Sequence, residues 1–284
     1  MHPKNPHIAA YPLQKLIKSH SELAPFVRKS DFAVETVDFA DPIAVFHLNK
    51  AILKHYYGIE DWNLPPLYLC PPIPGRLDYL LHLSDFLSEN GITDAIKGLD
   101  IGVGANAIYP ILGAKALHWN MVGCDIDPKA VESAKANIMA SEELADKIEI
   151  RHQSNNANLF EGIIQPNEHF SFSMCNPPFH PSEEAALRST NRKWKNLKQH
   201  GKNRNFGGQS NELWCNGGEA LFLKRMIKQS ASFKQQVNWF TSLISKKENL
   251  NKLYKQLDKL GATHRTMTME QGSKQSRFIA WTFN

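Results

Sequence analysis

The chain has 284 residues, 42% of them hydrophobic and 21% charged, which is room for one large domain with an appended segment or for two modest ones and excludes a disordered or fibrous protein. No run approaches the ~20 consecutive apolar residues of a membrane helix, and the first thirty residues carry Pro3, Pro6, Pro12 and Pro25 with no apolar signal-peptide core, so a cytoplasmic protein is expected. Lys and Arg exceed Asp and Glu by only five (33 against 28), and the four cysteines, at 70, 124, 175 and 215, form no Cys-x-x-Cys pair and have no histidines at zinc-ligand spacing; structural zinc, a disulfide framework and any metal cofactor are not expected.

Asp41-Pro42 supplies the cap and first-turn residue of a helix that continues with Val45, Leu48, Ile52 and Tyr56 on one face. Pro65, Pro66, Pro71, Pro72 and Pro74 fall within ten residues and form a rigid connector. After it, Leu77, Leu80, Leu81 and Leu87 keep helical spacing until Asn90-Gly91 stops the run. From residue 96 short apolar runs alternate with helices. Ile96 to Ile101 is expected as a strand, Asn106 to Lys115 as a helix, Met121 to Asp125 as a strand, and Pro128 to Ala140 as a helix capped by Asp127. Strands follow at 147–152 and 170–175, a helix at about 218–230, a strand from Val237 to Ile244, and a helix carrying Leu250, Leu253, Tyr254, Leu257 and Leu260 that ends at Gly261. The last two strands, around 263–269 and 277–283, have only a turn between them and must be antiparallel, whereas the repeated strand–helix units imply a parallel, doubly wound sheet.

Asp100-Ile101-Gly102-Val103-Gly104-Ala105-Asn106 leaves the first of these strands and opens a helix. A dinucleotide loop has a third glycine where this chain has Ala107, and an acid two residues before the first glycine would repel a pyrophosphate. It suits a ligand bearing a positively charged amino group, as the methionine part of S-adenosylmethionine does. Gly102 and Gly104 let the backbone turn tightly beneath such a ligand. Asp125 ends the next strand, 21 residues beyond Gly104, where a carboxylate can take ribose hydroxyls. The competing account is a structural turn with no nucleotide.

Asn176-Pro177-Pro178-Phe179 follows directly on the strand ending Phe172-Ser173-Met174-Cys175. Two prolines remove backbone donors, so the segment presents acceptors, the Asn176 side-chain carbonyl and the Pro177 main-chain carbonyl, to the two hydrogens of an exocyclic amino group. Methyl transfer to a delocalised aryl or amide NH2 is helped by groups that hold both N–H bonds and stabilise positive charge on nitrogen. Phe179 can stack on the flat substrate. The bland alternative is a Pro-Pro turn with Phe in the core. Downstream, Arg188, Arg192, Lys193, Lys195, Lys198, Lys202 and Arg204, with Trp194 among them, form a basic stretch without an acid, either a solvated loop or a surface for phosphates.

With these motifs the chain resembles a class I S-adenosylmethionine-dependent methyltransferase acting on an amino nitrogen. It is similar to one family in particular, the 23S ribosomal RNA adenine-N6 methyltransferases of large-subunit methyltransferase F type, relatives of the methyltransferase-like 16 enzymes. The likeness covers nearly the whole chain from His2-Pro3-Lys4-Asn5 onward. Its most specific blocks are Asp38-Phe39-Ala40-Asp41-Pro42, Leu69-Cys70-Pro71-Pro72-Ile73-Pro74-Gly75-Arg76, Asp100 to Asn106 and Asn176 to Phe179, with Asn216-Gly217-Gly218-Glu219 and Ser245-Lys246-Lys247 also matching.

The resemblance implies a Rossmann-like, mostly parallel seven-stranded sheet with an antiparallel C-terminal strand and an N-terminal helical extension. Residues 1–74 would be an RNA-contacting extension and Pro-rich connector, and 75–284 the methyltransferase domain. It further implies S-adenosylmethionine held by Arg76, Asp100, Gly102, Gly104, Asn106 and Asp125, with Arg76 on the carboxylate. Asn176, Pro177, Pro178 and Phe179 would perform catalysis, and the basic stretch with Lys246 and Lys247 would contact 23S rRNA or a large-subunit assembly intermediate. Glu219, between two glycines and a helix start, is expected to organise the catalytic loop or cap that helix. Two other readings stay open: a protein glutamine-amide methyltransferase, which accounts for the tetrapeptide but not the basic stretch, and a non-catalytic RNA-binding protein, which needs neither Asp100 nor Asn176.

Overall fold

The computed structural model describes residues 1–30, 32–66, 68–178, 217–271 and 274–284. The N-terminal part runs through α1 (Leu13–Ser19), a 3-10 turn (Ser21–Phe26), a small hairpin of β1 (Val27–Lys29) and β2 (Glu35–Val37), then α2 (Pro42–Tyr57) and α3 (Ile73–Glu89). Local chemistry sets their ends. The Asp41 side chain accepts the Ile43 N–H at the start of α2, with Pro42 in its first turn, and Gly58 closes the helix at φ +66°. Pro65, Pro66 and Pro71 lie in the irregular stretch between α2 and α3, Pro72 caps α3 and Pro74 lies in its first turn, so the proline run both links the two helices and starts the second.

A seven-stranded sheet follows, built from β3 (Lys97–Ile101), β4 (Asn120–Asp125), β5 (Ile148–His152), β6 (Phe170–Cys175), β7 (Val237–Leu243), β8 (Thr263–Gln271) and β9 (Lys274–Thr282). The strand order is β5-β4-β3-β6-β7-β9-β8. The first five are parallel, and β9 runs antiparallel to both β7 and β8. The mostly parallel sheet with an antiparallel close is therefore present as expected. Among the described residues its helices are α4 (Ile108–Leu117), α5 (Pro128–Met139), α6 (Glu142–Lys147), α7 (Gly218–Ser230) and α8 (Leu250–Lys259).

Each face of the sheet has its own apolar core. On one side Leu16, Leu48, Ile52 and Trp62 of the N-terminal part pack in a single cluster with Leu80, Ile111, Met121, Phe172 and Phe278. On the other, Leu99, Ile101, Phe240 and Trp281 pack against Leu223 and Ile227 of α7 and Leu253 and Leu257 of α8. Leu99 and Ile101 point to the second core, so Asp100, between them, points into the first, beneath α3 and α4. A Cβ at Gly98 would come within 2.3 Å of the Phe172 ring, which is why β3 carries no side chain there.

Candidate active site

The site is built where β3, β4 and β6 end side by side. Gly102 (φ +83°) and Gly104 (φ +63°) occupy the left-handed region that glycine alone enters without strain. The N–H groups of Gly102 and Val103 donate to the Cys124 carbonyl at 2.9 Å each, and the Gly104 N–H donates to Asp125 Oδ2 at 2.9 Å. A Cβ at Gly102 would meet nothing within 4 Å, so the loop lines an open space rather than a packed one. Asn106 is committed inward: its Oδ1 accepts the Ile108 N–H at 3.0 Å, its Nδ2 reaches the Leu69 carbonyl at 3.4 Å, and its own carbonyl accepts the indole N–H of Trp62 at 2.9 Å. Ala107 takes φ +49° behind it, and α4 consequently begins at Ile108 instead of Asn106.

Asp100 is fully buried and neither carboxylate oxygen has a hydrogen-bond partner. Burial, with the nearby Asp125 charge, pushes its pKa up to about 8, and the Arg76 guanidinium opposes the rise. An unpaired carboxylate in a core is costly unless a cation meets it. Asp125 is also pushed upward by burial, against the Asp127 and Gly104 N–H bonds that favour its ionised form. Its Oδ1 accepts the Asp127 N–H at 3.0 Å, and the carboxylate keeps acceptor capacity for a ligand.

Register brings the second motif to this loop. Ile101 pairs with Cys175, so Asn176 leaves β6 opposite Gly102. Asn176 and Pro178 are half-buried and Pro177 is buried. The Arg76 guanidinium has only donors to offer, which assigns the Asn176 amide the orientation with its oxygen toward α3; so turned, it accepts from Arg76 Nη1 at 2.9 Å and Nη2 at 3.2 Å. Nη1 also donates to the Tyr109 hydroxyl at 2.9 Å, and the guanidinium carbon lies 5.4 Å from the Tyr109 ring centroid. Tyr109, buried in α4, was not singled out in the sequence; its only signal is an aromatic in the first turn of the helix that follows the glycine loop. Phe179 lies outside the described residues, as do Arg188, Arg192, Lys193, Trp194, Lys195, Lys198, Lys202 and Arg204.

Glu219, in the first turn of α7, is buried and reaches past its own helix. It accepts the Ser245 N–H at 2.5 Å, the Lys246 N–H at 3.3 Å and the Asn249 side-chain amide at 2.6 Å, and so fixes the turn after β7. Lys246 and Lys247 stand exposed on that turn, at the same end of the sheet as Asn176. Away from this edge, His20, Glu22 and His47 bring three potential ligand atoms within 4.8 Å of one another. The 2.9 Å contact between His20 Nε2 and His47 Nδ1 is that of one ring N–H donated to the other ring, which requires no ion. Cys70 and Cys124 are unbridged thiols. Among the described residues no helix is long and apolar enough to cross a membrane.

A protein-family profile described as RNA methyltransferase matches residues 1–284. Ribosomal RNA large subunit methyltransferase F of Christiangramia forsetii is 54% identical over 285 residues, covering 100% of both chains. The protein of the same name from Photobacterium profundum is 46% identical over 308 residues, covering 100% of this chain and 91% of that one. Among solved structures, the hMettl16 catalytic domain in complex with MAT2A 3'UTR hairpin 1 superposes with a TM-score of 0.83 at 25% identity, over 100% of this chain and 96% of the other. The N-terminal domain of human METTL16 in complex with SAH shares the fold, with a TM-score of 0.79 at 24% identity over 100% and 99%.

Proposed function

The chain belongs to a family of RNA methyltransferases, and from that premise we propose that it moves a methyl group from S-adenosylmethionine to the N6 amino group of one adenosine in the 23S rRNA of the large ribosomal subunit. The observation that carries this assignment is the β3–β6 register, which sets the Asn176-Pro177-Pro178 acceptors beside the glycine loop and the unpaired Asp100 carboxylate. A relative named for the large-subunit rRNA, identical at more than half of its positions over the full chain, supports the choice of RNA.

The residues fit the donor. Asp100 would take the ammonium, the adjacent Arg76 the carboxylate, and the remaining acceptor capacity of Asp125 the ribose hydroxyls, while the Gly102 and Gly104 backbone lets the ligand approach closely. Asn106 holds the loop in shape rather than offering a free group. When bound, S-adenosylmethionine supplies a methyl on a sulfonium, with a neutral thioether as leaving group. Asn176 and Pro177 offer the acceptors for the two N–H bonds of adenine, which keeps the amino nitrogen aimed and stabilises the positive charge it gains. Lys246 and Lys247 stand ready for phosphates next to an extruded base, together with the basic stretch 188–204 and the 1–74 extension. The assay is labelled methyl transfer to total RNA and to total protein, followed by nucleoside analysis. Label in N6-methyladenosine is the expected result, and label in protein alone overturns the assignment in favour of a glutamine-amide substrate.

A further inference from the structure

A carbonyl oxygen has two lone pairs, and in the amide orientation that the Arg76 donors assign, Asn176 Oδ1 receives two of them, at 2.9 and 3.2 Å. The oxygen assigned to a substrate N–H is therefore already engaged by a charged donor. Arg76 is in turn braced by Tyr109, through one hydrogen bond and a cation–π contact at 5.4 Å from the ring centroid. It also lies within the field of Asp100, whose two oxygens are unpartnered. A ligand that gives its α-ammonium to Asp100 carries its α-carboxylate on the same carbon, and a carboxylate is a stronger partner for a guanidinium fork than an amide oxygen is.

We infer that Arg76 is a positioning residue that exchanges between Asn176 and the donor's carboxylate, so that binding of the donor uncovers the Asn176 oxygen for the substrate amino group. The inference rests on the methyl-transfer assignment above. It makes substrate capture depend on the donor's carboxylate, and by linkage makes donor affinity depend on the presence of the target amino group.

The experiment uses an rRNA fragment shown to be methylated by the full chain, with RNA affinity measured alone, with S-adenosylhomocysteine, and with its decarboxylated analogue, which keeps the ammonium. S-adenosylhomocysteine should tighten RNA binding on the order of tenfold, within the usual range of coupling between sites, and the decarboxylated analogue should not. The gain should vanish when the target adenosine is replaced by purine riboside, which lacks the amino group. Arg76→Ala should bind RNA at the tightened level with no ligand and ignore S-adenosylhomocysteine. Equal tightening by both ligands, or persistence of the coupling in Arg76→Ala, overturns the exchange. If Arg76→Ala does not fold, the comparison of the two ligands on the unaltered protein decides alone. Absence of any methylated fragment would instead count against the methyl-transfer assignment.

Discussion

Asp125 Oδ2 accepts the backbone N–H of Gly104 at 2.9 Å, tying the end of β4 to the loop that leaves β3. Its other oxygen accepts the Asp127 N–H, at the cap of α5. One carboxylate therefore does two structural jobs beside its proposed ribose contact. A ribose contact alone would let Asp125→Ala leave the glycine loop intact, but these hydrogen bonds tie the loop to the same carboxylate. The variant should lose about 1–3 kcal/mol of stability from two orphaned donors and bind S-adenosylmethionine more weakly. Urea denaturation and calorimetric titration on one preparation check both, and weaker binding at unchanged stability would mean that the loop holds itself.

Asp100 makes a prediction with a definite sign. Its folded-state pKa of about 8 lies far above the ordinary ~3.9. The group therefore favours folding most at pH values below the unfolded pKa, and that contribution is lost as pH rises toward 8. Asp100→Asn keeps the shape without the charge, so without ligand it should melt higher than the parent at pH 8, with the gap closing toward pH 4. The same substitution removes the partner of the ammonium. S-adenosylmethionine affinity should rise several-fold between pH 6 and 7 in the parent, with proton release, and should be lower and flat in the variant. A variant less stable than the parent at pH 8 would show that Asp100 has an internal cation partner.

The sheet was legible in the sequence because most of its strands are short apolar or alternating runs, several closed by a punctuating residue (Gly102 after β3, Asp127 after β4, Pro177 after β6), and Asp41, Asp127 and Gly261 mark helix ends where the structure has them. The buried side of α2 was only half legible. Ala44, Leu48, Ala51 and Ile52 line it, while Val45 and Tyr56 are half-exposed, because alanine allows the close approach of neighbouring helices and leaves no strong periodic signal. With seven and six residues, α1 and α6 are too short for periodicity to register. Asp100 and Asn176 could be found because they sit in local motifs. The contact of Arg76 with Asn176 joins residues one hundred positions apart, and the reach of Glu219 to Ser245 crosses from one helix to the next turn. Neither leaves a local pattern, since only the fold brings those groups together.

Glu219 supports a third prediction. Glu219→Gln turns an amide NH2 toward donors that now share a carboxylate oxygen, Lys246 N–H and the Asn249 amide. Stability should fall by about 1–3 kcal/mol, and methyl transfer should fall through weaker RNA binding with donor affinity unchanged. Thermal melting with separate titrations of RNA and donor would detect it, and a variant that matches the parent in all three leaves the turn independent of Glu219.

Asn176→Ala removes the side-chain acceptor at the end of β6 and leaves the Pro177 carbonyl. Turnover should drop on the order of a hundredfold or more, the usual cost of one preorganised hydrogen bond to a developing charge, without loss of donor affinity. Single-turnover rates close to the parent's would remove the amide from the amino-group clamp.

Lys246 and Lys247 test where RNA lies on the molecule. Both are exposed on the turn that Glu219 fixes, so their placement follows from the fold. Each phosphate contact with single-stranded RNA contributes roughly 0.7 to the slope of log affinity against log salt. Replacing both by Ala should flatten that slope by about 1.4 if each engages a phosphate, and replacing Lys193, Lys195 and Lys198 together should flatten it by about 2. The two sets should add, because they contact different phosphates. Donor affinity should be unchanged in both variants, which separates lost RNA contact from a damaged site. If the Lys246 and Lys247 replacement leaves slope and activity untouched while the triple replacement flattens the plot, RNA approaches across residues 188–204 alone. If neither set matters, the phosphates are held by the N-terminal 74 residues, and the turn after β7 is only a support for α8.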